Sequence, residues 1–198
     1  MTSLVLASQS SSRRSMLENA GISVISRPAQ VDEASIKKEL LTAGASPAEI
    51  AEDLAIAKAM TVSNEVGSAL VLGADQILVH DGQIMSKAKN RQEARRKLRL
   101  LSGSTHRLIS CAAFVRSGNV LWRCSMHADL SMREFTEAFL DRYLDAAGSA
   151  LLDSVGCYYL EDIGVQLFEE VNGDYFTVLG LPLLPVLRYL RREGVIET

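Results

Sequence analysis

Ala69–Gly73 is a continuous apolar run, and it constrains the fold more than any other stretch of the chain. A run of this kind suits a strand buried on both faces, as in a parallel sheet covered by helices. It breaks at Ala74-Asp75-Gln76 and resumes as Ile77-Leu78-Val79. A carboxylate set directly after buried apolar residues needs a reason to be there. At a strand end, Asp75 can face a cleft as a general base or a Mg²⁺ ligand; alternatively it makes local turn hydrogen bonds.

The first half of the chain alternates strand and helix. Leu4–Ala7 reads as a strand that opens into Ser8-Gln9-Ser10-Ser11-Ser12-Arg13-Arg14. The hydroxyls and guanidinium groups stand at a helix start, where anions are favoured. The helix is predicted over Arg13–Ala20, followed by a strand at Ile22–Ser26 and a helix near Ser35–Leu41. Ser46-Pro47 starts a longer helix with Pro47 at its first position and an apolar stripe of Ile50, Leu54, Ala57 and Thr61. Asp81-Gly82 predicts a hairpin. Arg91–Leu101 reads as a basic amphipathic helix with Ala94, Leu98 and Leu101 inward, closed by Ser102-Gly103. Strands at Arg107–Val115 and Val120–Leu130 pair across Ser117-Gly118-Asn119. Ser131 and Glu134 read as a capping box. Short strands are predicted at Gly156–Leu160 and Gly164–Phe168, and a last helix runs from Pro182 to Gly194. The pattern is mixed α/β, parallel in the first half and antiparallel in the middle, which suits two lobes around a cleft.

The 198 residues suffice for one domain with a substantial core. A net charge of -3 argues against a dedicated nucleic-acid binder while leaving room for a small anion in a local basic pocket. No apolar run reaches the roughly 18 residues of a membrane span, and Leu4–Ala7 is too short for a signal-peptide core. Cys111, Cys124 and Cys157 are odd in number and widely spaced. They read as reduced thiols of a cytoplasmic protein.

Lys58, within Ala55-Ile56-Ala57-Lys58-Ala59, either contacts phosphate or snorkels outward. Lys87 follows the hairpin and either reaches the same anion or decorates a loop. Glu33 either holds a metal or begins a helix. Arg95, Arg96, Lys97 and Arg99 read as a solvated basic face. No catalytic role is assigned to His80, His106 or His127, and Trp122 is expected to pack.

Taken in order, these segments resemble the Maf family of nucleotide pyrophosphatases, also called septum-formation-inhibitor-like proteins. The resemblance rests on Leu6-Ala7-Ser8 with Arg13-Arg14, Asp32-Glu33, Ala55 to Ala59, Gly73-Ala74-Asp75-Gln76, Lys87, and Leu101 to His106. It closes with Gly173-Asp174-Tyr175 and Val178 to Leu183. It implies an elongated α/β fold with a deep central cleft, often dimeric, and hydrolysis of a nucleoside triphosphate between its α and β phosphates. Asp75 would be the general base, and Glu33 and Asp75 the ligands of Mg²⁺ or Mn²⁺. Ser8, Arg13, Arg14, Lys58, Gln76 and Lys87 would bind the substrate. Two prolines usual in the family are missing: Ser11-Ser12 precedes Arg13, and Ala88 follows Lys87. Proline stiffens a turn, so its absence leaves the chemistry possible and bears on the placement of Lys87.

Within the family, the chain is more similar to the branch acting on 7-methyl-GTP than to the dTTP/UTP branch. Ser11 and Ser12 separate Ser10 from Arg13, Gln76 follows Asp75, and Glu161 stands where the other branch has glutamine. Gly164-Val165-Gln166-Leu167-Phe168-Glu169 agrees. A carboxylate at 161 can accept from guanine N1–H and N2–H together, although Glu161 also suits a surface loop beside Asp162. The competing functions are a dTTP/UTP-type pyrophosphatase and a non-catalytic nucleotide-binding regulator of cell division.

Overall fold

The computed structural model describes residues 4–197. In chain order its elements are β1 (Leu4–Leu6), α1 (Ser11–Asn19), β2 (Val24–Ser26), α2 (Glu33–Thr42), α3 (Pro47–Ser63), β3 (Leu70–His80) and β4 (Gln83–Met85). Then come α4 (Arg91–Leu101), β5 (Thr105–Arg116), β6 (Asn119–Met132), α5 (Glu137–Ala147), β7 (Phe168–Asn172), α6 (Tyr175–Val178) and α7 (Leu183–Arg192). The strands pair in the order β2-β1-β3-β5-β6-β7, with β4 on β3. β1 is parallel to β2 and to β3, whereas β3–β4 and β6–β7 are antiparallel. The mixed α/β class therefore follows as the sequence predicts.

The described residues divide into two compact units. The first contains residues up to Gln76, Ile109–Met126, and the chain from Tyr175 onward. Its core gathers Leu4, Leu6, Leu17, Leu70, Leu72, Phe114, Leu181, Val186 and Leu190. Trp122 stacks on Tyr189, which stacks on Phe114, so its packing role holds. Burying side chains of this size supplies the bulk of the folding free energy. The second unit contains Ile77–Leu108 and His127–Asp174.

Local signals explain most boundaries. Ser10 caps α1 by accepting the Arg13 backbone N–H at 3.3 Å, so the helix starts two residues before Arg13. Ser46 and Glu49 form a capping box with Pro47 in the first turn of α3. Asp81 and Gly82 both take positive φ, 46° and 73°, as a tight hairpin turn requires.

Four expectations need correction. β3 is one unbroken strand, so Asp75 lies mid-strand and not at a tip, and it makes no turn. The buried stripe of α3 runs through Ile50, Ala51, Leu54, Ala55, Lys58, Ala59 and Val62; Ala57 and Thr61 flank it. Ser131 does not cap a helix, because β6 continues through it and its hydroxyl pairs with that of Thr105 at 2.8 Å. Thr136 is the cap of α5, with Oγ1 accepting the Phe139 N–H. Gly156–Leu160 and Gly164–Phe168 are not strands. Cys157 takes φ 59°, and residues 163–167 form a 3₁₀ turn capped by Asp162. Extended pairing cannot accommodate either conformation.

Among the described residues no helix is long and apolar enough to cross a membrane. The three cysteines form no disulfide.

In the second unit His106 is buried, with Nε2 2.6 Å from the Tyr158 hydroxyl. Burial, helped by His80 and opposed by Asp129, pushes its pKa down to about 4. Between its ordinary value of 6.5 and about 4, the unfolded chain therefore binds a proton that the folded chain refuses. Stability is full above this window and falls as the pH is lowered through it. Urea unfolding should show a loss of roughly 2 kcal/mol between pH values of about 7.5 and about 5 that His106→Gln removes. An identical pH slope in the variant would overturn this assignment.

Candidate active site

The site is built on the contact between α3 and β3, in the first unit. A Cβ on Gly73 would lie 2.1 Å from the Ala55 carbonyl oxygen and 2.8 Å from the Ala59 Cβ. Only glycine and alanine allow the helix to come so close. Residues 73 and 75 share one face of the strand, and Ala55, Lys58 and Ala59 share one face of the helix. The close approach therefore points Lys58 at Asp75.

Both side chains are buried, Asp75 at 7% exposure and Lys58 at 9%. Lys58 Nζ donates to Asp75 Oδ1 at 2.6 Å and lies 2.9 Å from Glu33 Oε1. A carboxylate removed from water is costly unless paired and hydrogen-bonded, and the ammonium provides both. Lys58 does not snorkel outward. Glu33 fulfils both of its readings in part, since it begins α2 and reaches Lys58 with a side chain that stays half exposed.

Arg13 comes in from α1. Its Nε donates to the Gly180 carbonyl at 2.8 Å, and Nη1 donates to the Ala74 carbonyl at 2.9 Å and to Ser8 Oγ at 3.3 Å. The residue keeps some exposed surface, but its guanidinium lies deep. Burial lowers its pKa from the ordinary value, against the opposing charges of Asp75 and Glu33. Gly180 takes φ 97°, and a Cβ there would sit 3.5 Å from the guanidinium. Ser8 is itself buried and also accepts the Ser10 N–H at 3.2 Å.

Gln76 follows on the opposite face of β3. Its amide nitrogen lies 3.0–3.1 Å from Ser110 Oγ and the carbonyls of Thr177 and Val178. That is three acceptors for two hydrogens, so this end of Gln76 ties β3 to β5 and α6.

Lys37 was not among the expected site residues. Half-buried on α2 one turn beyond Glu33, its pKa is lowered by burial against the attraction of Asp75 and Glu33. The i,i+4 spacing from Glu33 was the available signal. Arg13, Lys37 and Lys58 thus set three positive charges around the two negative charges of Asp75 and Glu33. Such a surplus suits a polyanion.

The other expected residues stand elsewhere. Arg14 is exposed and pairs with Glu18 at 2.7 Å, one turn along α1. Lys87 and Glu161 are both exposed and belong to the second unit. The solvated basic face expected on α4 holds except at Lys97. Arg95 and Arg99 pair with Glu137, and Arg95 also with Asp141. Lys97 is buried. Arg96 and Arg99 are exposed and fit a solvated basic face, Arg95 is half-buried, and Lys97 alone turns inward.

Glu33 and Asp75 suit a divalent cation. Their oxygens converge on one positive centre, which the Lys58 ammonium supplies. Hard carboxylate oxygens are the donors that Mg²⁺ and Mn²⁺ prefer. Among the described residues no three His, Cys, Asp or Glu gather together. A cation there would complete its shell with phosphate oxygens and water, as Mg²⁺ commonly does.

Residues 3–193 match the family described as Maf-like protein. A 7-methyl-GTP pyrophosphatase of Rhizobium etli is 47% identical over 194 residues, covering 98% of each chain. A nucleoside triphosphate pyrophosphatase of Caulobacter vibrioides is 46% identical, covering 99% of this chain and 98% of its own. Nucleoside triphosphate pyrophosphatase 1 of a Jannaschia species is 44% identical over 99% of both chains.

Gly73→Ala tests the contact that carries the site. The added methyl meets backbone, which cannot swing aside, so α3 must move off β3. Denaturant unfolding should show a loss of about 1–3 kcal/mol. Unchanged stability would mean that the close approach does not govern where Lys58 stands.

Proposed function

The chain belongs to the Maf family, and on that premise we propose that it is a nucleoside triphosphate pyrophosphatase. It would cleave the α–β phosphoanhydride to give a nucleoside monophosphate and pyrophosphate. The observation that carries this reading is the buried Asp75–Lys58 pair, with Glu33 reaching in from the surface and Arg13 beside it. The names of the relatives support it and favour 7-methyl-GTP over dTTP and UTP.

The chain's own groups divide the work. Lys58 holds Asp75 through Oδ1. The second oxygen, Oδ2, can take the proton of a water as that water attacks phosphorus. Arg13, Lys37 and Lys58 neutralise charge on the triphosphate and favour the more highly charged transition state. Incoming phosphate gives Lys58 a new anion to share, which loosens its hold on Asp75 when a base is needed. A divalent cation held by Glu33 and Asp75 would draw charge from the phosphoryl oxygens.

Lys87 is assigned to a phosphate, and Glu161 to the Watson–Crick edge of the base, from the sequence resemblance. Guanine offers two adjacent N–H donors, and N7 methylation adds positive charge that a carboxylate favours. The three free thiols support a cytoplasmic setting.

Pyrophosphate release from 7-methyl-GTP, GTP, UTP and dTTP with Mg²⁺ tests the activity. Asp75→Asn should lower kcat by at least about a hundredfold, the scale of a lost general base, while nucleotide binding persists. Retained turnover would remove Asp75 from the chemistry. Glu161→Gln should reduce kcat/KM for 7-methyl-GTP relative to UTP by about tenfold. Equal losses on both nucleotides would refute its role in reading the base.

A further inference from the structure

The basic residues of α4 do not share one task. Arg91, Arg95 and Arg99 reach across to α5, where they meet Asp145, Asp141 and Glu137. Lys97 turns away from them. It is only 8% exposed, and its Nζ donates to the Ser86 carbonyl and, at 2.8 Å, to the Val155 carbonyl. Burying an ammonium is expensive. Here it serves as a many-donor, acceptor-free group held between two loop carbonyls.

The two carbonyls stand at informative places. Ser86 directly precedes Lys87. Val155 opens the irregular segment that leads to Glu161. The Ala88 backbone also acts on the Cys157 thiol, lowering a pKa that burial raises. Tyr143 fixes the turn further by donating its hydroxyl to the Cys157 carbonyl at 2.9 Å. The backbone before Lys87 is therefore fastened to Val155, and the Cys157 turn to Tyr143. Ala88, on the other side of Lys87, is buried.

We propose that Lys97 is a positioning residue: a buried ammonium clasp that fastens the Lys87 segment to the 155–161 segment and so sets substrate affinity. The proposal rests on the assignment of Lys87 and Glu161 to substrate binding. Lys97 acts through those residues and touches no reacting atom. A methionine at 97 fills a similar space but donates nothing. Both segments would then be released while the helix stays packed.

The test uses the full chain with Mg²⁺ and 7-methyl-GTP, comparing Lys97→Met, Lys87→Ala and the double variant. Amide exchange is followed at residues 86–89 and 154–161. Lys97→Met should speed exchange in both segments and raise KM by about tenfold, with kcat within about threefold. The double variant should raise KM no more than about twofold beyond the worse single variant, since both changes remove one function. Multiplying losses, or a fall in kcat with KM unchanged, would overturn the positioning role. Unchanged exchange in the two segments would overturn the clasp itself. If Lys87→Ala leaves KM unchanged while Lys97→Met still frees both segments, the clasp stands and the assignment of Lys87 fails. If Lys97→Met does not fold, Lys97→Gln, which removes the charge and shortens the reach, takes its place: faster exchange at residues 86–89 and 154–161 with a raised KM supports the clasp, and an unchanged pattern refutes it.

Discussion

The buried pairing of Lys58 with Asp75 is the interaction on which the rest depends. A carboxylate in the middle of an apolar strand has no water to stabilise it. It is kept by an ammonium that a small-residue helix face brings within 2.6 Å. The contact is possible because positions 55, 59 and 73 carry almost no side chain. Packing and chemistry are one problem here. Filling the helix–strand contact would improve neither, since the acid would lose its partner.

The remaining charges are arranged by the same economy. Arg13 spends Nε and Nη1 on backbone carbonyls and the Ser8 hydroxyl. It is rigid before any ligand arrives, which lowers the entropy cost of recognition. Glu33 and Lys37 are one helical turn apart on α2, and a short capped helix sets both against the buried pair. In the second unit Arg91, Arg95, Lys97 and Arg99 of α4 engage carboxylates and carbonyls. A basic run in the sequence thus becomes an internal brace.

The parts legible in the sequence were those governed by local rules. Ser46, Pro47 and Glu49 announced α3, Asp81-Gly82 announced the hairpin, and the apolar run announced the central strand. Asp75, Glu33, Lys58 and Arg13 were singled out from type and neighbours, and the structure gathers them in one cluster. What failed depended on distant partners. The direction in which Lys97 points is decided by the loop carbonyls at 86 and 155, far from it in sequence. The nitrogen of Gln76, a residue expected at the substrate, is engaged by carbonyls some hundred residues later, a partnership that no local signal announces. Gly156–Leu160 and residues 164–167 read as strands, but Cys157 at positive φ and a 3₁₀ turn prevent pairing there.

The bond from Arg13 to the Gly180 carbonyl spans 167 positions of the chain. During synthesis the first helix emerges early, but the acceptor for its guanidinium follows 167 residues later. The anion-receiving corner therefore cannot be finished until Gly180 has left the ribosome, however soon its strands have paired. A protein built in this way acquires its chemistry well after its first strands are made.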